Sequence, residues 1–209
     1  MSEASNGARR PPTTARGLRT RAKVVAAARR VLERDGYLGA RLVDMTAEAG
    51  VAAGTFYTYF SNKEEVFEAI LADLQQEMIH PAPGATDSDD PVAIIRAGNS
   101  AYLAMYKRNA RLMGLFEQVA AIDERFRALR DQRGKAFMKR NARSIQILQI
   151  RGLADPRLDA SLAAAALGAM VSRMAYKAYV LEERWDDDDL VEDLTRLWAN
   201  AIGVSSNAT

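Results

Sequence analysis

The stretch GVAAGTFYTYFSNKEEVF, from Gly50 to Phe67, crowds aromatic residues and threonines together just after a glycine. In a helix that begins near Ala52, Phe56 and Phe60 are four residues apart and share one face, which predicts that both rings are buried. The other members of the cluster cannot all lie on that face, so we expect their hydroxyl groups to point outward: Thr55, Tyr57, Thr58 and Tyr59. The stretch therefore predicts a short helix with an apolar inner face and a hydroxyl-bearing outer face.

The residues around this helix predict a helix-turn-helix. A helix over residues 42–49 ends at Gly50, and the helix over 52–60 follows directly. An earlier helix over 18–35, with apolar residues three or four apart, completes a three-helix unit. In such a unit one helix braces the next, and the second of the pair enters the major groove of DNA.

The outer face of the third helix suits contact with DNA. Tyrosine and threonine hydroxyls donate hydrogen bonds to phosphates, and Lys63 adds a positive charge. Ala53 and Gly54 lack bulk, which would let the start of the helix approach base edges. The alternative is purely structural: Tyr57 and Tyr59 are half-buried and keep their hydroxyls in water.

Charge is distributed unevenly along the chain of 209 residues. Residues 1–63 hold 11 Lys and Arg against 5 Asp and Glu, a net charge of +6, whereas the remainder holds 18 against 22, a net charge of −4. A basic front indicates that this part alone meets a polyanion. The alternative is a solvated surface with uneven charge.

The segments TRAKVVAAARRVLERDGY and VDMTAEAGVAAGTFYTYFSNKEEVF resemble the DNA-binding domain of TetR-family transcriptional regulators. The resemblance implies that bases are read at Ala53, Gly54 and Tyr57. It also implies that phosphates are held by the residues that match the motif: Thr55, Tyr57, Tyr59 and Lys63.

Two positions depart from the family pattern. Ala40 and Arg41 stand where the family usually has Thr or Ser, and Ala52 stands where it usually has Ser. Each change removes a helix N-cap that contributes roughly 1 kcal/mol. We expect Arg41 to replace the lost hydroxyl contact with a direct phosphate contact, and it joins the predicted DNA site.

The rest of the chain predicts an all-α fold. Helices are expected at about 91–108, 109–120, 122–151, 156–183 and 187–203, and no alternating strand pattern occurs. Asp155 and Pro156 are expected to start the second-last helix as N-cap and first residue. The predicted organisation is a disordered basic arm (1–17), a helix-turn-helix domain (18–63) and a helical ligand-binding and dimerisation domain (64–209). The arm, with Arg9, Arg10, Arg16 and Arg19, either reaches DNA or merely aids solubility.

The protein is predicted to form a homodimer through its last two helices, as the resemblance implies. The segment DASLAAAALGAMVSRMAYKAYV is rich in small residues, which allow helices to approach closely. The final helix carries a broad apolar stripe of Leu190, Leu194, Leu197, Trp198 and Ile202. The alternative is that these residues fill the core of a monomer.

An effector site is expected on the middle helices, where the resemblance implies a ligand. Methionine and aromatic residues line sites for apolar ligands, although they also fill ordinary cores. Asn141 and Arg173 would be polar anchors if they point inward. The predicted effector residues are Tyr102, Met105, Tyr106, Met113, Phe116, Phe137, Asn141, Met170, Arg173 and Met174.

Composition narrows the remaining functions. The chain has no cysteine and one histidine, His80, and it contains no catalytic triad, phosphate loop or metal-ligand pair. We therefore expect that the protein is not an enzyme and that it has no cofactor and no metal site. The first residues lack the apolar core of a secretory signal, and the longest apolar run is about half a membrane span, which predicts a cytoplasmic protein without a membrane segment.

The sequence thus predicts a dimeric transcriptional regulator, a repressor that a small, mainly apolar effector releases from a double-stranded DNA operator. One alternative is a regulator whose C-terminal domain is unliganded or takes a corepressor. Two others are a helical enzyme and a nonspecific nucleoid protein, for which a net charge of +2 is low.

Overall fold

A computed structural model describes residues 12–79 and 89–204, and these residues form nine α-helices and no strand. The predicted all-α fold is confirmed. The helices are α1 (Ala15–Gly39), α2 (Leu42–Ala49), α3 (Ala53–Tyr59), α4 (Lys63–Ile79), α5 (Pro91–Arg108), α6 (Ala110–Ile122), α7 (Glu124–Ile150), α8 (Ala160–Tyr179) and α9 (Asp187–Ala201). None of the helices in these two ranges is long and apolar enough to cross a bilayer.

The chain divides into two compact units, residues 1–76 and 77–209. The predicted boundary at 63–64 coincides with the start of α4, whereas the compact units divide near its end. The limits of the functional domains stay a prediction.

The first unit has one small core. The apolar face of α1 packs on α2, and α2 packs on α3. This core contains Phe56 and Phe60, which were predicted to be buried, and further side chains that are nearly or fully buried: Val24, Ala28, Val31, Leu32, Met45 and Ala49. Burial of such side chains is the main driving force for folding, and it holds the three helices in a fixed arrangement.

The two ends of α1 differ from the prediction. The helix begins at Ala15 rather than at 18, because the Thr14 hydroxyl accepts a hydrogen bond from the Gly17 backbone N–H at 3.1 Å. Residues 15–17 of the predicted arm are therefore helical, and its residues 1–11 lie outside the described ranges. At Gly36 the backbone takes a positive φ of 72° that suits glycine, and a last helical turn follows to Gly39.

In the second unit α5 packs on α8 and α9, while α7 packs on α6 and α8. Among its buried polar side chains, Asn99 of α5 donates to the Thr195 hydroxyl of α9 at 3.3 Å. Asp186 caps α9 by accepting hydrogen bonds from the backbone of Asp188 and Asp189.

The predicted start of α8 is wrong. The helix begins at Ala160, and Asp159 is the N-cap that accepts from the backbone N–H groups of Ser161 and Leu162. Asp155 instead accepts from the backbone and guanidinium of Arg157, and these hydrogen bonds lower the pKa of Asp155 to about 2. Residues 155–159 form a turn that precedes the helix.

Candidate nucleic-acid interface

The turn between α2 and α3 depends on Gly50. Its φ of 58° is left-handed, a conformation that glycine adopts without steric cost. The Val51 N–H donates to the Thr46 carbonyl at 3.1 Å, which closes the turn. Helix α3 begins at Ala53, and its N-cap residue Ala52 has no side chain that can cap the helix. The first residues of α3, Ala53 and Gly54, are also small.

The inner face of α3 is buried as the spacing predicts, whereas its hydroxyl-bearing face is only partly exposed. Phe56 and Phe60 are 0% and 3% exposed, with ring centroids 5.7 Å apart. Tyr57 is 44% exposed, although its ring meets that of Phe56 edge-on at 5.7 Å. The outer face therefore presents a tyrosine to solvent while two phenylalanines anchor the helix.

The small residues at the start of α3 lie on the outer face as well. Ala53 and Gly54 are exposed, and a Cβ added to Gly54 would meet no atom of the described chain within 4 Å. Thr55 and Tyr59 are half-buried. Thr58 is exposed, but its hydroxyl donates to the Gly54 carbonyl at 3.1 Å, so this donor is already used.

Lys63 points partly into the fold. Its ammonium group donates to the Tyr37 carbonyl at 2.5 Å and to the Ala40 carbonyl at 3.3 Å, and it lies 4.4 Å from the centre of the Tyr37 ring. The Tyr37 hydroxyl in turn donates to Glu64 at 2.9 Å. Lys63 thus ties the end of α1 to the start of α4, and at most one of its three N–H bonds remains for a phosphate.

Arg41 precedes α2 and pairs with an acid that the sequence analysis did not single out. Its guanidinium donates to Asp44 at 2.7 and 3.0 Å while the side chain stays 72% exposed. The hydrogen bond from Arg41 also holds the pKa of Asp44 below its usual value. The sequence could have indicated this ion pair, because Arg41 and Asp44 are three residues apart at the start of a helix.

The other acidic residues between 12 and 63 are paired too. They form ion pairs with arginines of the second half of α1: Glu33 with Arg29 at 2.8 Å, Asp35 with Arg34 at 2.8 Å and Glu48 with Arg30 at 2.7 Å. These pairs leave that half of α1 and the exposed side of α2 close to neutral.

In the second unit, several predicted effector residues form an aromatic cluster. The Tyr102 ring lies 5.5 Å from that of Phe137 and 5.9 Å from that of Tyr106. Burial raises the pKa of both tyrosines. Met105, Tyr106, Met113 and Phe116 are buried, whereas Phe137, Asn141, Met170 and Met174 are half-buried.

Arg173 is exposed, and its guanidinium lies 5.2 Å from the centre of the Tyr176 ring. It is therefore not an inward anchor in this structure. Arg133, which the sequence analysis did not single out, lies 5.3 Å from the centre of the Phe116 ring, and burial lowers the pKa of its guanidinium to about 10. A single arginine in a polar helix gives no sequence signal for such a position.

The predicted dimer helices divide their apolar residues between core and surface. Three residues of α9 and the residue that follows it are buried within the unit, as the monomer-core alternative has it: Leu190, Leu194, Trp198 and Ile202. Leu197 of α9 and Leu162 of α8 are 53% and 70% exposed.

Comparison with known proteins gives one consistent group of relatives. Residues 24–70 match the sequence model of bacterial regulatory proteins of the tetR family. The transcriptional regulator TtgR of Pseudomonas putida is 27% identical over 186 residues, which cover 85% of this chain and 87% of TtgR. The nicotine-responsive transcriptional repressor HdnoR of Paenarthrobacter nicotinovorans is 32% identical over 75 residues, 36% of this chain and 39% of HdnoR.

Solved structures agree on the fold. A TetR-family regulator from Syntrophomonas wolfei superposes with a TM-score of 0.75 over 91% of this chain and 98% of its own, at 18% identity. At that identity the likeness speaks for the fold alone.

Proposed function

We propose, on the premise that the chain belongs to the TetR family of transcriptional regulators, that it is a dimeric repressor released from its operator by a small, mainly apolar effector. Its relatives and its fold are those of DNA-binding regulators and not of enzymes. We further propose that it acts in the cytoplasm.

The observation that carries the proposal is the outward face of α3. Tyr57 is nearly half exposed, and its neighbours Ala53 and Gly54 are exposed as well. A helix of this width fits the major groove, where small residues permit close approach to base edges. In our proposal Ala53, Gly54 and Tyr57 face the bases.

The phosphate contacts follow the same face. Thr55, Tyr57 and Tyr59 supply hydroxyl donors, and Lys63 supplies at most one N–H bond beyond those given to carbonyls. Arg41 is exposed enough to reach a phosphate while it stays paired with Asp44. We include all five and expect Lys63 to contribute more to the shape of the domain than to DNA affinity.

A dimer would place two α3 helices in successive major grooves, about 34–36 Å apart. We propose that the outward faces of α8 and α9 form the interface, which Leu162 and Leu197 support by their exposure. An effector that binds one spacing of the two helices better than another would then shift the population off the operator. A coupling free energy of about 1–3 kcal/mol is enough.

The effector site is proposed at the aromatic cluster of α5–α8. The Tyr102 ring lies next to those of Tyr106 and Phe137 there, and we expect the methionines of the predicted set to adapt to an apolar ligand. The name of HdnoR, a nicotine-responsive repressor, supports repression under effector control in a relative whose match covers 36% of this chain. A corepressor-type domain is the second candidate, and the sign of the effector response separates the two.

The test begins with a duplex that the wild-type protein selects from a randomised DNA pool. We expect Tyr57→Ala to cost about 1–3 kcal/mol of binding free energy per half-site, measured by fluorescence anisotropy at fixed salt. Tyr57→Phe, which keeps the ring and removes the hydroxyl, should lose less. Wild-type affinity in Tyr57→Ala, or failure of the wild type to select any duplex, would contradict the proposed face.

A further inference from the structure

A concave surface of the first unit lies beside α3. This α1–α3 cleft has a volume of about 500 Å³, and its lining includes Arg16, Gly17, Thr20, Gly50, Thr55 and Tyr59. Thr55 and Tyr59 belong to the proposed DNA face, whereas the lining from α1 includes Arg16, for which the sequence analysis left DNA contact and solubility as alternatives. The lining contains no Asp or Glu among the residues that the structure describes.

Close contacts join the elements around the cleft. The Tyr59 hydroxyl lies 3.8 Å from the position that a Cβ on Gly17 would take. On another side, the Lys23 ammonium lies 3.5 Å from the position of a Cβ on Gly50. The Tyr59 phenol therefore lines the cleft, and the Lys23 ammonium lies next to Gly50, one of the lining residues.

The charges near the cleft differ from those on the rest of the unit. Arg16 and Lys23 are exposed, and neither forms an ion pair with any residue in the described ranges. All four acids between residues 12 and 63 pair with Arg41 or with arginines of the second half of α1. The positive charge available to a polyanion is therefore concentrated at the first half of α1.

We propose that the α1–α3 cleft binds the phosphodiester backbone of DNA next to the groove that α3 enters. Arg16 in the lining and Lys23 beside Gly50 supply the charge, and Thr55 and Tyr59 supply hydroxyl donors. The Thr20 hydroxyl already donates to the Arg16 carbonyl at 3.0 Å, so it lines the cleft without donating to the phosphate. This inference rests on the proposed function, since it needs α3 to lie in a major groove.

The test is the double variant Arg16→Ala with Lys23→Ala, measured against the duplex selected by the wild type. We expect affinity to fall about tenfold or more. The dependence of log K on log salt should become less steep by about 0.9 for each lost contact, or about 3.6 for two residues in both chains of a dimer. A variant that is merely less well folded loses active protein but keeps the wild-type salt slope.

Matched controls separate the cleft from total charge. Arg30→Ala removes one positive charge from an exposed residue paired with Glu48, and we expect little change in affinity or slope. Arg16→Lys with Lys23→Arg keeps both charges and should restore binding. An equal loss in Arg30→Ala, measured against Arg16→Ala alone, would overturn the cleft proposal, as would wild-type affinity and slope in the double alanine variant.

The outcomes also separate this inference from the proposed function. If Tyr57→Ala loses binding while the double variant keeps it, the cleft proposal is wrong and the α3 proposal stands. If the double variant loses binding while Tyr57→Ala keeps it, DNA lies along α1 without α3 in the groove, and both proposals are overturned as stated.

Discussion

At the residue scale, the folded chain does not require a glycine at position 54. Its backbone is helical, and a Cβ would meet nothing within 4 Å. Alanine should therefore stabilise the fold by about 0.4–1 kcal/mol, because it restricts the unfolded chain. If DNA approaches this position closely, Gly54→Ala should raise the melting temperature and at the same time weaken binding to the selected duplex.

Gly98 provides the control for that prediction. It is exposed in α5, and a Cβ there also meets nothing within 4 Å. Gly98→Ala should stabilise the protein similarly and leave DNA binding unchanged. A Gly54→Ala variant that binds the duplex as well as the wild type would mean that the start of α3 does not approach the bases closely.

Lys63 illustrates what the sequence could not predict at this scale. Its place after the aromatic cluster indicates a charge near DNA. Its ammonium group nevertheless bonds the carbonyls of Tyr37 and Ala40, residues more than twenty positions earlier. Only the packing of α4 against the end of α1 brings these atoms together, and no local pattern encodes that distance.

At the element scale, prediction succeeded where one residue type decides the boundary. The limits of α2 were predicted correctly because Gly50 takes a left-handed conformation that few other residues adopt. The start of α8 was missed because Asp155 and Asp159 both satisfy the N-cap rule. The choice between them depends on Arg157, whose backbone N–H and guanidinium donate hydrogen bonds to the Asp155 carboxylate.

This difference can be measured. Asp159→Ala should lower the free energy of unfolding by about 1 kcal/mol, because two backbone N–H groups of α8 lose their acceptor. Asp155→Ala should cost less, since its partner Arg157 is exposed and the pair is screened by water. Urea unfolding followed by circular dichroism gives both values. The reverse order would indicate that α8 begins at Asp155 in solution.

At the scale of the whole molecule, the sequence predicted two functional parts but not how the apolar residues of the last helices are shared. Leu190, Leu194, Trp198 and Ile202 pack inside the second unit. A stripe of this width looks the same whether it faces a monomer core or a partner chain. The exposed leucines that remain, Leu162 and Leu197, are the better candidates for a dimer interface.

Replacing those two leucines tests the assembly. Leu162→Glu with Leu197→Glu should convert a dimer to a monomer, because an interface would have to bury two unpaired carboxylates from each chain. Sedimentation equilibrium gives the mass. The monomer should then bind a duplex with two half-sites no better than one with a single half-site, since the second α3 is no longer delivered by the same complex.

Ile150→Glu is the matched control, because Ile150 is 86% exposed on α7, outside the two proposed interface helices. It should remain dimeric and should bind the selected duplex like the wild type. If Ile150→Glu becomes monomeric while the double leucine variant stays dimeric, the partner chain lies against α7 instead, and the proposed interface through α8 and α9 is wrong.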